Sequence, residues 1–346
     1  MKTEKKNITR QDVANLAKVS HMTVTRVLNN HPVVSPAVRE RVLNACKELN
    51  YRRNLNASAL RSNQSFAIGV IVPTLKHTFY GRLISEIEIV SRKNNYHVIT
   101  VQSNPASNIP TMQWSDLEFL LARQVDGLII DISLPIEVEN RLKKENIPVI
   151  FIDSPPVSED FDFVGCDDQN AIYKTTKHLI ELGHRKIAFL GGLEGSRTMQ
   201  RRRSGWELAL KEAKISLECE LNVQTGFLYE HGVEAVKKLI RKKCEFTAIV
   251  CANDYVAMGA IHELQQYKLS VPEDIAVTGM ADEEIGAFFS PALTTVTQSI
   301  DKIAKFGVER LITRISNNTL PRIKQEFKGE LIIRNSSLSS KGAVTK

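Results

Sequence analysis

In residues 19–30, VSHMTVTRVLNN, a helical wheel sets His21, Met22, Thr25, Arg26 and Asn29 on one arc and Val24, Val27 and Leu28 on the opposite one. A solvated helix face ordinarily carries Glu and Lys, which favour helix and pair at i,i+4. This face instead offers a guanidinium, an imidazole, an amide, a hydroxyl and a thioether. Such a set suits the edges of DNA bases: Arg can fork onto guanine O6 and N7, His can donate or accept, and Met can touch a thymine methyl. His21, Met22 and Arg26 are therefore candidate base readers, and Thr9, Ser20 and Asn29, near helix ends, are candidate phosphate ligands.

A second collection of polar residues follows apolar runs further along. It comprises TLKHTFYG (74–81), Asp131, Asp153, EGSRTMQRRRSGW (194–206), ANDY (252–255) and GMAD (279–282). Asp, Asn, Arg and aromatic rings at strand ends suit a polar, hydroxylated ligand, with Phe79 or Tyr80 stacking on its faces. Catalysis fits less well. GGLEGS is neither GxGxxG nor GxxxxGK[ST], no HExxH or GxSxG occurs, and the adjacent Asp167 and Asp168 read as a loop and helix-cap pair. The five cysteines are scattered without metal-ligand spacing, so neither a metal nor another cofactor is expected.

Three short helices must present the first set. Thr9 and Asp12 make a capping-box pattern before an apolar stripe of Val13, Leu16 and Ala17, predicting a helix over 10–17. Lys18 and Val19 turn the chain, Ser20 caps the next helix, and Ser35-Pro36 opens a third with Val38, Val42, Ala45 and Leu49 inward. Helix, tight turn, helix and bracing helix is the helix-turn-helix plan; a three-helix protein-interaction module is the alternative. Charge favours DNA, because residues 1–62 hold 12 Lys/Arg against 4 Asp/Glu, while the remainder holds 34 against 35. The next stretch, YRRNLNASALRSNQS, offers a short helix in which Leu60 is either a buried junction contact or a minor-groove wedge.

From Phe66 onward, short runs rich in Ile and Val, such as FAIGVIV, DGLIIDI, IPVIFID and TAIVCAN, alternate with amphipathic segments. That pattern predicts buried parallel strands in βα units, too many for one small sheet. Polar loops near DFVGCDDQN (162–170) are taken to divide them into two doubly wound lobes around a cleft. Composition is that of a globular protein, 42% hydrophobic and 25% charged. No apolar run is long enough to span a membrane and no apolar segment suited to export follows the N-terminus, so a cytoplasmic location is expected.

Several spaced motifs, DVANLAKVSHMTVTRVLNN, VSPAVRERVLNACKELNY, NASAL, ELGHRKIAFLGG, CANDYVAMGA and VPEDIAVTGM, resemble the lactose-repressor/galactose-repressor family over nearly the whole chain. The resemblance implies an all-α helix-turn-helix head (1–53), a hinge helix and linker (54–65), a two-lobed α/β core of periplasmic-binding-protein type (66–338) and a disordered tail (339–346). It further implies a transcriptional regulator, a repressor of carbohydrate-utilisation genes, that is a homodimer on a double-stranded DNA operator and answers to a sugar or sugar acid. An activator, or a sensor of a non-sugar metabolite, is the alternative; an enzyme or an exported binding protein would need features not seen. Position by position, it places Ala57 and Leu60 in the minor groove at the hinge. In the core it sets Asp153, Arg202, Asn253 and Asp282 on or beside effector contacts, and Phe79, Tyr80 and Phe227 on lining positions. Three residues depart from the family's pattern. Lys18 stands where Gly is frequent in the turn, Arg53 replaces a Pro before the hinge, and Ala281 replaces an Asp beside Arg202, which would make room for an acidic ligand. After GELIIRNSSL eight residues remain, too few for a tetramer-forming heptad helix, so a dimer is expected.

Overall fold

The computed structural model describes residues 8–28, 31–51, 64–103, 114–192 and 195–338. The chain forms two compact units, residues 1–65 and 66–346.

In the first unit, α1 (Arg10–Ala17) starts at a complete capping box in which the Thr9 hydroxyl accepts from Asp12 N and the Asp12 carboxylate accepts from Thr9 N. It ends at Lys18, whose φ of 51° is left-handed and closes the turn with N–H bonds back to Ala14 and Asn15. This explains why Gly suits that position and what Lys18 costs there. In α2 (His21–Leu28), Ser20 Oγ accepts from Thr23 N at 3.1 Å. The third helix, α3 (Pro36–Glu48), is tied to the end of α2 by Arg39, which donates to the carbonyls of Val27 and His31. Val13, Ala14, Ala17, Val24, Val27, Val42 and Ala45 form the small core. Leu16 does not belong to it. That residue is 40% exposed, and Ala14 takes the inward position because three short helices this close leave room for a methyl group.

The second unit holds two parallel sheets. The first has the order β11-β5-β4-β3-β1-β2, built from β1 (Ala67–Val72), β2 (His97–Gln102), β3 (Gly127–Ile130), β4 (Val149–Ile152), β5 (Asp162–Cys166) and β11 (Lys324–Phe327). The second has the order β7-β6-β8-β9, from β6 (Ile187–Leu190), β7 (Asn222–Val223), β8 (Ala248–Cys251) and β9 (Ala276–Thr278). Most of the central strands are buried on both faces, as their unbroken apolar runs require. Two details differ from the sequence-based division. DFVGC is a strand of the first sheet rather than a divider, since Asp162 is neutralised by Arg314 and Arg310 and can enter the interior. The chain also returns late, through the helix Ile300–Ser316 and β11, to complete that first sheet, with β10 (Thr295–Val296) and β12 (Leu331–Ile332) pairing antiparallel between the lobes' segments.

Strand order reverses between β1 and β3 in one sheet and between β6 and β8 in the other. Loops leaving those strands diverge and open a crevice at each sheet's carboxyl edge. His77, Asp131, Arg197 and Asn253 all sit in or just beyond such loops.

Candidate functional site

On the head, His21, Met22 and Arg26 are exposed, with Met22 60% accessible. An uncovered thioether at the start of a helix gains nothing for folding and is available for contact. Thr9 and Ser20 are also exposed, and their hydroxyls cap α1 and α2. Asn29, Ala57 and Leu60 lie outside the described residues.

In the core, the loops of the two switch points enclose a cavity of about 460 Å³, within the range of small-ligand sites. Phe79, Tyr80, Asp131, Asp153, Arg202, Phe227 and Asn253 all line it. Asp282 does not. Its carboxylate accepts from Arg334 Nη2 at 2.7 Å, and the wall there is formed by Ala281, the departure noted in GMAD. Asn253 is used internally as well, its Oδ1 accepting from Val256 N to cap the helix Asp254–Gln266 and its Nδ2 donating to the Phe227 carbonyl.

Arg202 is the electrostatic centre. It lies on the helix Arg197–Glu212, 5% exposed, and its Nε donates to Asp168 Oδ1 at 2.8 Å while Nη1 donates to the Ala252 carbonyl at 2.8 Å. Asp153 stands further off, 3.9 Å from Nη2, and accepts from Gln298 Nε2 at 3.2 Å. Burial works against the Arg202 charge, but Asp168 and Asp153 outweigh it and raise its pKa further. For Asp168, burial outweighs the attraction of Arg202 and pushes the carboxyl up to about 7. Asp131 is 4% exposed and its Oδ2 is buried without a partner among the described residues; burial, then the charge of Asp153, hold its pKa well above the usual carboxylate range. Burial likewise raises Asp153. His77, buried and with both ring nitrogens unpartnered among the described residues, is pushed down to about 4 by burial and by Arg202, so it is neutral near pH 7.

This arrangement alters the inference drawn from Ala281. The missing Asp leaves a carboxylate-free spot on the wall, yet Asp168, read in sequence as half of a helix-cap pair, occupies Arg202 from behind. Asp167 alone is the cap, accepting from Asn170 N at 3.1 Å. Three carboxylates thus surround one guanidinium, which is a poor host for an acidic ligand.

Two clasps join the lobes on either side of the cavity. Arg197 reaches from the second lobe to the carbonyls of Pro155 (2.5 Å) and Leu134 (3.3 Å) and to the buried Glu139 (3.3 Å), which also accepts from Val157 N and Ser158 N. Opposite, the Thr78 hydroxyl meets Tyr255 Oη at 2.5 Å and donates to Glu283 Oε2 at 2.6 Å, and the His77 and Tyr255 rings lie 3.9 Å apart. The lobes are closed on the cavity. His77, Arg197 and Asp168 went unselected in sequence; TLKHTFYG and the start of the RRR-containing segment were the available signals for the first two.

Among the described residues no cluster suited to a metal ion is found, and none of their helices is long and apolar enough to cross a membrane. Residues 9–54 match the family model "Bacterial regulatory proteins, lacI family" and residues 176–337 match "Periplasmic binding protein-like domain". The chain is 33% identical to the HTH-type transcriptional repressor PurR of Vibrio vulnificus, over 94% of this chain and 97% of that one. It is 31% identical to the ribose operon repressor of Haemophilus influenzae, over 89% and 92%. In structure it is similar to the lac repressor dimer bound to operator and the anti-inducer ONPF, with a TM-score of 0.86 and 28% identity over 96% of this chain and 100% of that one. With a helix-turn-helix head and a two-lobed core that encloses a cavity, this chain belongs to the lacI family of bacterial regulatory proteins and is a DNA-binding transcriptional regulator.

Proposed function

We propose that the protein is a homodimeric repressor of carbohydrate-related genes whose operator binding is set by a sugar-sized effector held between the lobes. The observation that carries this reading is the cavity itself: aromatic walls, two buried carboxylates, a fixed guanidinium and small hydroxyl groups, flanked by contacts that join the two lobes. Rings and carboxylates on opposing surfaces suit a body with apolar faces and polar edges. His21, Met22 and Arg26 read bases, Thr9, Ser20 and Asn29 hold phosphates, and Ala57 and Leu60 enter the minor groove. Effector control follows if the ligand binds one lobe arrangement better than the other, because only differential affinity shifts the equilibrium. The ribose operon repressor supports a carbohydrate ligand, since its name ties it to sugar metabolism and it matches nearly the whole chain.

A thermal-shift screen of sugars, sugar acids, their phosphates, nucleobases and amino acids tests the reading. A ligand at 100 times its Kd adds about 2.7 kcal/mol of stability. A carbohydrate that stabilises the protein and changes its affinity for operator supports the assignment. Stabilisation confined to nucleobases or amino acids refutes the carbohydrate class.

A further inference from the structure

We infer that the effector carries a positive charge, an amino group on a sugar-sized polar body, seated between Asp131 and Asp153. The inference rests on the reading of this cavity as the effector site and adds the ligand's charge to it.

The reasoning is a charge balance at the wall. Among the described residues two cationic side chains line the cavity, and each is already matched by a buried acid that does not: Arg197 by Glu139 at 3.3 Å and Arg202 by Asp168 at 2.8 Å. Asp131 and Asp153 remain, both more than nine-tenths buried and both facing the ligand space. Asp153 has Gln298, the Cys166 backbone N–H and, at 3.9 Å, Arg202; Asp131 Oδ2 has no partner among the described residues. A carboxylate oxygen buried without a donor is costly, and with Asp153 beside it Asp131 keeps its proton unless a cation arrives.

The three ligand classes behave differently here. A uronate would bring a third negative charge and find Nε and Nη1 of Arg202 already donating elsewhere. A neutral sugar could meet Asp131 with one hydroxyl but brings no charge that would favour its ionised form. A protonated amine supplies both the donors and the charge, and the aromatic residues Phe79, Tyr80 and Phe227 line the same cavity.

The test is calorimetric titration of the full chain at pH 7.5 with nine compounds in three matched sets: glucosamine, galactosamine and mannosamine, their neutral parents, and the three corresponding uronates. The expected result is that at least one amino sugar binds tenfold or more tightly than its parent and that its uronate binds most weakly. Asp131→Asn and Asp131→Ser, which keep a small polar group at the wall, should reduce the amine-to-parent ratio below threefold. A parent or uronate that binds more tightly than its amine overturns the inference and leaves the effector site standing, as does an amine preference that survives both substitutions. Failure of all nine to bind overturns the inference and the sugar-effector reading together.

Discussion

Replacing Asp168 by Ala isolates the interaction that fixes Arg202. The wild-type pair is fully buried, with the Arg202 Nε–Asp168 Oδ1 distance at 2.8 Å and Asp153 no closer than 3.9 Å. Removing one partner of a buried ion pair strands the other, which costs about 3–5 kcal/mol. Ala252 O still accepts from Nη1, and Asp153 is near enough for the guanidinium to turn toward it, so we place the loss near the low end, about 3 kcal/mol. Asp168 titrates near 7, so its carboxylate is more completely ionised at pH 8, where the comparison should be made. Asp153→Ala is the control. It removes a buried carboxylate whose desolvation offsets the hydrogen bonds it accepts from Gln298 and the Cys166 backbone, and should change stability by less than about 1 kcal/mol. Urea unfolding of the three proteins at pH 8, followed by tryptophan fluorescence, measures both values. A loss below about 1 kcal/mol for Asp168→Ala, or a larger loss for Asp153→Ala, would refute the assignment of Asp168 as the anchor.

Three further outcomes follow from the same geometry. Arg197→Ala removes donors to Leu134, Pro155 and Glu139 and should weaken effector binding about tenfold, equivalent to about 1.4 kcal/mol, with an increased radius of gyration in solution scattering; unchanged affinity and radius would contradict the clasp. Gly205→Ala should destabilise the core by about 1–3 kcal/mol, because a Cβ there would press on the Gln169 carbonyl and lie 2.9 Å from Tyr173 N in the neighbouring helix; an unchanged unfolding midpoint would refute that close approach. Asp254, buried and raised to about 7, binds a proton more readily folded than unfolded, so its contribution is fully present below the unfolded value near 3.8 and is lost as pH rises through about 7. Stability should therefore fall between about pH 4 and pH 7, and the slope there should be shallower in Asp254→Asn; equal slopes in the two proteins would contradict the shift.

The head was nearly complete in the sequence because its signals are local. Thr9 and Asp12, Ser20, and Ser35-Pro36 mark helix starts within a few residues of where they act. Leu16 was misplaced because a stripe on one helix does not reveal how closely its neighbours approach. In the core, unbroken apolar runs announced buried parallel strands, but Asp162 hid a strand until its arginine partners, roughly 150 residues away, supplied the missing charge. Distance in sequence concealed the site in the same way. Asp131 and Asp153 were visible as acids after strands, whereas the claim of Asp168 on Arg202 spans 34 residues and two helices, and the reach of Arg197 to Glu139 spans 58. The resemblance placed Asp282 on or beside an effector contact, and the neighbouring position is the one that reaches the cavity. The fold turned the methyl group to the cavity and the carboxylate to Arg334.

The central claim, that an exposed face of α2 reads DNA under the control of a ligand in the core, is tested most directly by fluorescence anisotropy on a duplex selected by the protein from a random pool. Wild type should prefer the selected duplex to unrelated DNA, and the effector identified by thermal shift should change that affinity. Arg26→Ala should lose about 1–3 kcal/mol on the selected duplex while its binding to unrelated DNA changes by little more than one lost charge. If no sequence is enriched, or if Arg26→Ala weakens selected and unrelated DNA in parallel, α2 does not read bases through Arg26 and the account is contradicted at its core.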